Sequence, residues 1–329
     1  MVGLSHVALR SLIREYLPSD AETLWPTEML NSRRLPYQHL GQTPETLKAK
    51  GENNLVPQVL GNRERFLIPS LAKLKEWGAS AIDINMGCPV TQALKHNYGV
   101  ALMGDPQYAK QVVQICTDNT DLPVSVKLRS AKSHNQQALL DFVGGLQEAG
   151  ASWITLHPRT GEEKRKADVN WDEVTFLKKN LHIPVIGNGE IQTAEQAIQV
   201  KNKYRCDGIM VGRALCARPW LLWQIGEQLG LSPPEGKKGP APKSPSEEAK
   251  EYFMATQKFI RYCYQYFEGS RAKRRVRFFL RMTSMWINYG HSVEKKLAQV
   301  ENYQQQLELL EQFARNDNFQ MSPETQLTI

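Results

Sequence analysis

The chain has 329 residues, with 41 Lys plus Arg against 34 Asp plus Glu, 41% hydrophobic and 23% charged. Its apolar fraction excludes a disordered polymer and its mean hydropathy of -0.47 excludes a multi-span membrane protein, leaving a globular chain with room for one large domain and a smaller one. A formal charge of +7 and a pI near 9.1 point to a polyanionic partner only where the basic residues cluster.

Residues 1–20 place Arg10 and Arg14 where a secretory signal needs an unbroken apolar run, and no later segment reaches membrane-spanning length. Cys88, Cys116, Cys206, Cys216 and Cys263 form no C-x-x-C pair and no regular spacing. Neither a disulfide framework nor a metal site is therefore expected, and a reducing, cytoplasmic setting fits. A helix is expected over 5–17 and a strand over 22–30. From 52 to 230 short apolar runs alternate with amphipathic stretches of helical period. The strands are expected at 55–60, 81–85, 123–127, 153–157, 184–187 and 208–211, with helices at 63–77, 106–119, 136–149, 171–179 and 194–201. Strand–helix alternation of this kind makes a parallel α/β fold, one strand short of a TIM-type (β/α)8 barrel; the missing strand would precede Met1. Residues 232–248 are rich in Pro, Gly, Ser and Lys and read as an exposed linker that closes the barrel domain at 231. Residues 249–315 read as a small helical bundle, and the polar tail 316–329 is expected to fray.

Four segments set polar or reactive residues directly after apolar strands, where a parallel barrel gathers its site: Asn85-Met86-Gly87-Cys88-Pro89, Lys127-Leu128-Arg129, His157-Pro158-Arg159-Thr160 and Gly187-Asn188-Gly189-Glu190. The last strand runs into Gly212-Arg213. Glycines at these two consecutive strand ends let backbone amides approach a phosphate, with a guanidinium beside them. A lone lysine at a strand end, or a lone glycine pair, would carry little; their joint occurrence points to a site.

These residues, in this order, resemble the tRNA-dihydrouridine synthase family, flavin enzymes that reduce the 5,6 double bond of uridine in tRNA. The resemblance runs from Met1, which is similar to the end of the family's N-terminal Ala-Pro-Met strand, to about residue 310. It is carried most specifically by Asp83-Ile84-Asn85-Met86-Gly87-Cys88-Pro89, followed by Gly99, Ala101, Leu102 and Met103. It implies FMN as cofactor, NADPH as reductant and hydride transfer from flavin N5 to uracil C6. Gln58 and Lys127 are implied to contact the isoalloxazine ring with His157 beside them, and Asn188, Gly189, Gly212 and Arg213 to hold the ribityl phosphate, with Glu190 in the same cofactor-binding loop. An ammonium at Lys127 would stabilise the charge that reduced flavin carries near N1 and O2. Cys88 is implied as the acid that protonates C5, a role requiring a neutral thiol. Asn85 and Arg129 are implied to touch the substrate, and the loop 89–98 reads as a lid. The other four cysteines read as inert buried side chains. No dinucleotide fingerprint is present, so NADPH would react directly over the flavin.

Arg271, Lys273, Arg274, Arg275, Arg277 and Arg281 crowd one helix beside Phe278, Phe279 and Trp286, with no acidic residue inside the run. This is the footprint expected for phosphate-backbone binding, and the resemblance makes tRNA the partner, bound by a monomer. The chain departs from many relatives after Cys-Pro, where Thr91 and Leu94 replace a lysine and an asparagine. A flavin-free RNA-binding protein on the same fold is the alternative reading, as is a flavin barrel acting on a small molecule.

Overall fold

Strict alternation inside the strands decides the architecture. In 82–86, 124–129 and 153–157 the apolar residues Ile82, Ile84, Met86, Val124, Val126, Leu128, Ile154 and Leu156 occupy one parity, and polar residues, with Trp153 the exception, occupy the other. With period two, the apolar set faces one side of a sheet and the polar set the opposite side. The computed structural model describes residues 3–163 and 167–325. In chain order its elements are α1 (Val7–Arg14), β1 (Trp25–Asn31), β2 (Leu55–Leu60), α2 (Glu64–Glu76), β3 (Ile82–Met86), α3 (Thr91–Leu94), α4 (Pro106–Asp118), β4 (Val124–Arg129), α5 (Gln136–Glu148) and β5 (Trp153–His157). There follow α6 (Asp172–Asn180), β6 (Val185–Asn188), α7 (Ala194–Tyr204), β7 (Gly208–Met210), α8 (Arg213–Ala217), α9 (Leu221–Gln228), α10 (Pro245–Tyr266), α11 (Gly269–Thr283), α12 (Gly290–Gln299) and α13 (Tyr303–Ala314).

The seven strands form one parallel sheet in the order β1 to β7, the sequential winding of a TIM-type barrel. Among the described residues β1 and β7 are its two outer strands and do not pair with each other. The strand end expected at Met1 lies outside the described residues. The apolar parity of the strands packs against Leu67, Leu71, Val112, Val113, Leu139, Val143 and Leu177 of the surrounding helices, all buried. This leaves Gln58, Asp83, Asn85, Ser125, Lys127, Arg129, Thr155 and His157 on the inner face. No helix among the described residues is long and apolar enough to cross a membrane.

A second apolar cluster joins the barrel to the C-terminal helices without a break. Leu9, Leu12 and Tyr16 of the N-terminal segment, Trp220 before α9, Phe259 of α10, Phe279 of α11 and Trp286 all belong to it. Phe259 and Phe279 stack with centroids 3.9 Å apart.

The supposed linker is fastened along its length. The Ser232 amide donates to the Asp20 carboxylate at 2.9 Å, Pro234 bridges to Pro18, and buried Ala241 donates its amide to Glu227 at 2.6 Å. Helix α10 begins at Pro245, earlier than the composition suggested, because Ser244 and Glu247 form a reciprocal capping box and proline suits the first helical position. The tail is likewise anchored through residue 325: Met321 is buried and pairs with Ile287, and the Thr325 amide donates to Gln192 at 3.0 Å. Residues 326–329 of the expected frayed end lie outside the described residues.

His6 shows what this interface demands of a titratable group. Its ring sits 4.8 Å edge-on from Phe267 and 6.0 Å from Phe259, and both ring nitrogens are buried without a partner among the described residues. Burial, reinforced by Arg275 and Arg10, lowers its pKa to about 3. Between that value and the unfolded value of about 6.5 the unfolded chain binds the extra proton, so stability is full above about pH 6.5 and is lost as pH falls, by about 1.4 kcal/mol per unit. His6→Phe is expected to remove this share of the acid sensitivity. Denaturant unfolding between about pH 7 and about pH 5 reads the difference in slope.

Candidate active site

Register stacks the inner-face residues in layers. Gln58 aligns with Asp83 and Asp83 with Ser125; one layer up, Asn85 aligns with Lys127 and Lys127 with Thr155; Arg129 then aligns with His157. The polar residues expected at strand ends thus lie within the last turns of β3, β4 and β5 and are held by the sheet itself. Cys88 follows β3 directly and is buried.

The turn carrying Cys88 is fixed from three sides. Asn85 Oδ1 accepts the backbone amides of Gly87 at 3.2 Å and Cys88 at 2.9 Å. Arg129, expected to touch substrate, is buried and donates from Nε to the Gly87 carbonyl at 2.9 Å and from Nη1 to the Thr160 carbonyl at 3.0 Å, bracing the β3 turn against the β5 loop. From the third side the Val100 amide donates to the Cys88 carbonyl at 3.1 Å. Gly99, at φ +59°, lies so close that an added Cβ would meet that carbonyl oxygen at 2.4 Å. Only glycine suits both the left-handed backbone and this approach.

The loop 89–98 is tied down rather than open. It contains α3, its Tyr98 and Ala93 are buried beside Cys88, and Asn62 Nδ2 donates to the carbonyls of His96 at 3.2 Å and Asn97 at 3.0 Å.

Positive charge converges around His157. Burial drives its pKa down to about 2, with Lys127, Arg129, Arg159 and Arg213 all adding to the fall. The imidazole is therefore neutral at neutral pH and suited to hydrogen bonding rather than to acid catalysis. Lys127 is itself lowered to about 8 by burial, against an opposing pull from Asp83. Arg159 is buried, pairs with Glu190, and has its Nη1 buried without a partner among the described residues. Such a field suits an anionic ligand with several acceptors. The glycine-bearing strand ends stand beside it: Asn188 Nδ2 donates to the Met210 carbonyl at 2.7 Å, and an added Cβ at Gly189, φ +148°, would meet Val169 at 3.0 Å and His157 at 3.3 Å. Gly212 caps the short α8 that starts at Arg213.

The chain matches the dihydrouridine synthase family over residues 1–318. It belongs to that family. Among relatives, a probable tRNA-dihydrouridine synthase 1 of Synechocystis is 28% identical over 311 residues, covering 94% of this chain and 83% of the other. A human tRNA-dihydrouridine(20a/20b) synthase-like protein, with NAD(P)+ in its name, is 32% identical over 222 residues, 67% of this chain and 68% of that one. A histamine dehydrogenase structure from Rhizobium sp. 4-9 overlays with a TM-score of 0.49 at 12% identity, covering 69% of this chain and 43% of the other. As a dihydrouridine synthase family member the chain is an oxidoreductase by class.

In this family member the basic helix is less bare than its local sequence suggests. Arg275 pairs with Glu45 at 3.0 Å and reaches the Gly3 carbonyl; Lys273 and Arg277 pair with Glu301, and Arg281 lies 4.0 Å from Glu294. Acidic partners absent from the run are supplied by distant segments. Arg271 and Arg274 are exposed and keep no side-chain partner among the described residues. Sequence reading gave no role to Asp83, Ser125 and Thr155, although the period-two pattern places them on the inner face, and it set Arg159 in a strand-end segment of the site without assigning it a partner or a task.

Proposed function

We propose that this dihydrouridine synthase uses FMN, held at the C-terminal mouth of the barrel, to reduce the C5–C6 double bond of uridines in tRNA. One observation carries the reading: a thiol on a fixed turn stands at the end of β3 beside a row of cationic and amide groups suited to an anionic, acceptor-rich ring. When bound, FMN supplies the hydride for uracil C6 and is recharged from NADPH. The chain's own residues do the rest. Lys127 offers an ammonium where negative charge gathers, and an anion beside it would raise its pKa again, keeping it charged. His157, neutral, and Gln58 orient the ring by hydrogen bonds. The amides of Gly189 and Gly212, with Asn188, Arg213 and Arg159, bind the phosphate, while Glu190 holds Arg159 in place. Asn85 would meet the uracil edge through the N–H that it otherwise directs to Met29 Sδ at 3.4 Å. Cys88 gives its proton to C5, completing addition of one hydride and one proton across the double bond.

Arg271 and Arg274 would hold the RNA backbone, which must offset the few kcal/mol spent in turning a uridine out of the folded RNA. Recording the flavin absorbance of the purified protein, then incubating it with NADPH and unmodified tRNA, tests the whole reading. Bound FMN and newly formed dihydrouridine are expected; a colourless protein that binds RNA and makes no dihydrouridine would replace it with the RNA-binding alternative.

A further inference from the structure

We infer that Asp83 is a positioning residue for the Cys88 turn, holding Gln58 and Asn85 in the one amide orientation that lets Asn85 accept the Cys88 backbone N–H. The inference rests on the reading of Cys88 as the proton donor. Asp83 is 5% exposed, at the bottom of the inner-face layers. It accepts from Gln58 Nε2 at 2.6 Å and from Ser125 Oγ at 2.7 Å. Gln58 Oε1 in turn accepts from Asn85 Nδ2 at 2.8 Å, and Asn85 Oδ1 accepts the Gly87 and Cys88 amides.

Polarity makes this chain directional. An ionised carboxylate only accepts, so Gln58 must turn its NH2 group to Asp83 and its oxygen to Asn85. Asn85 must then turn its NH2 group to Gln58 and its oxygen to the turn. Reversing Gln58 would set its oxygen against the carboxylate and its NH2 against the NH2 of Asn85. Reversing Asn85 would set its NH2 against two backbone N–H groups. Either error leaves buried donors and acceptors unmatched, so one buried charge fixes two amides and the loop beyond them. Burial pushes the Asp83 pKa up to about 6, with Gln58, Ser125 and Lys127 pulling it back, so the carboxylate is ionised at neutral pH.

The test reads the thiol directly. N-ethylmaleimide labelling of the full-length protein is followed at each cysteine by peptide mass spectrometry in the parent, Asp83→Leu and Asp83→Asn. The buried Cys116, Cys206, Cys216 and Cys263 report general loosening. Loss of the anchor in Asp83→Leu is expected to raise labelling of Cys88 alone by about 10-fold, the scale of one or two hydrogen bonds, while Asp83→Asn, which can offer Gln58 either its oxygen or its NH2 and so no longer dictates a direction, is expected to give a smaller rise at Cys88 alone, between the parent and Asp83→Leu. Gln58→Met cuts the chain one link later and is expected to give the same Cys88-selective rise if Asp83→Leu fails to fold. Unchanged Cys88 labelling in Asp83→Leu, all five cysteines rising together, or parental Cys88 labelling in Asp83→Asn would each overturn the inference. Turnover is measured in parallel: kcat on tRNA should fall about 10-fold in Asp83→Leu with KM little changed. A parent protein without turnover would sink the proposed reaction, leaving the labelling to decide the positioning role.

Discussion

Cys88→Ala is expected to lower the rate of uridine reduction in tRNA by about 10²- to 10⁴-fold, the range that a positioned general acid contributes, while FMN content stays at the parental level. The substitution removes one sulfur from a small cluster of Cys88, Ala93 and Tyr98 and leaves the backbone bonds of the turn to Asn85, Arg129 and Val100 in place. Its effect should therefore fall on one half-reaction. Reduction of the flavin by NADPH should keep its parental rate, and reoxidation by tRNA should slow. Rapid-mixing absorbance at the flavin band separates the two. Equal rates in both halves would remove Cys88 from the chemistry.

Glu248→Ala is expected to destabilise the fold by about 3–5 kcal/mol, the cost of leaving a buried guanidinium without its counter-charge. Glu248 is 2% exposed in the first turn of α10, and its carboxylate takes the guanidinium of Arg218, the indole N–H of Trp220 at 3.0 Å and the amide of Gln224 at 2.7 Å. Arg218, also buried, reaches on to the carbonyls of Gln192 at 2.7 Å and Pro323 at 2.9 Å. A single charged cluster thus gathers the barrel, α10 and the tail. Denaturant titration should report a lower midpoint, and Glu248→Gln, which keeps an acceptor for the indole and the amide, should lose less. A midpoint within error of the parent would show the pair to be dispensable.

Elements whose information is local were legible in the sequence. Strands 55–60 and 153–157 have the bounds their apolar runs suggested, and α7 begins at Ala194 behind the Thr193–Gln196 capping box. Three other strands run a residue or two further, because ladder bonds draw in Met86, Arg129 and Asn188. Candidate site residues could be placed for the same reason: Asn85, Lys127 and His157 follow apolar runs and the register sets them in adjoining layers, with Cys88 just beyond β3. What escaped depends on contacts between distant segments. Nothing near residue 275 announces Glu45, and nothing near 273 or 277 announces Glu301. Arg129 stands out in the sequence only as a cation at a strand end; that it also braces the Gly87 and Thr160 carbonyls depends on two distant segments. The Pro- and Gly-rich stretch at 232–248 looks free because composition cannot show Asp20 or Glu227 reaching across to it.

The uninterrupted apolar cluster from Tyr16 through Trp220 to Phe259 and Phe279 makes the C-terminal helices a gauge rather than a hand. Because α10 and α11 share this cluster with Trp25 and Leu55 of the barrel, moving α11 relative to the barrel would open a packed interior, and that cost holds Arg271 and Arg274 to the barrel's frame. In the proposed reaction the choice of uridine would then be a matter of length along the RNA, measured from its grip on α11 to the thiol. Sliding the grip by one helical turn, about 5.4 Å, would present a different nucleotide to the same chemistry.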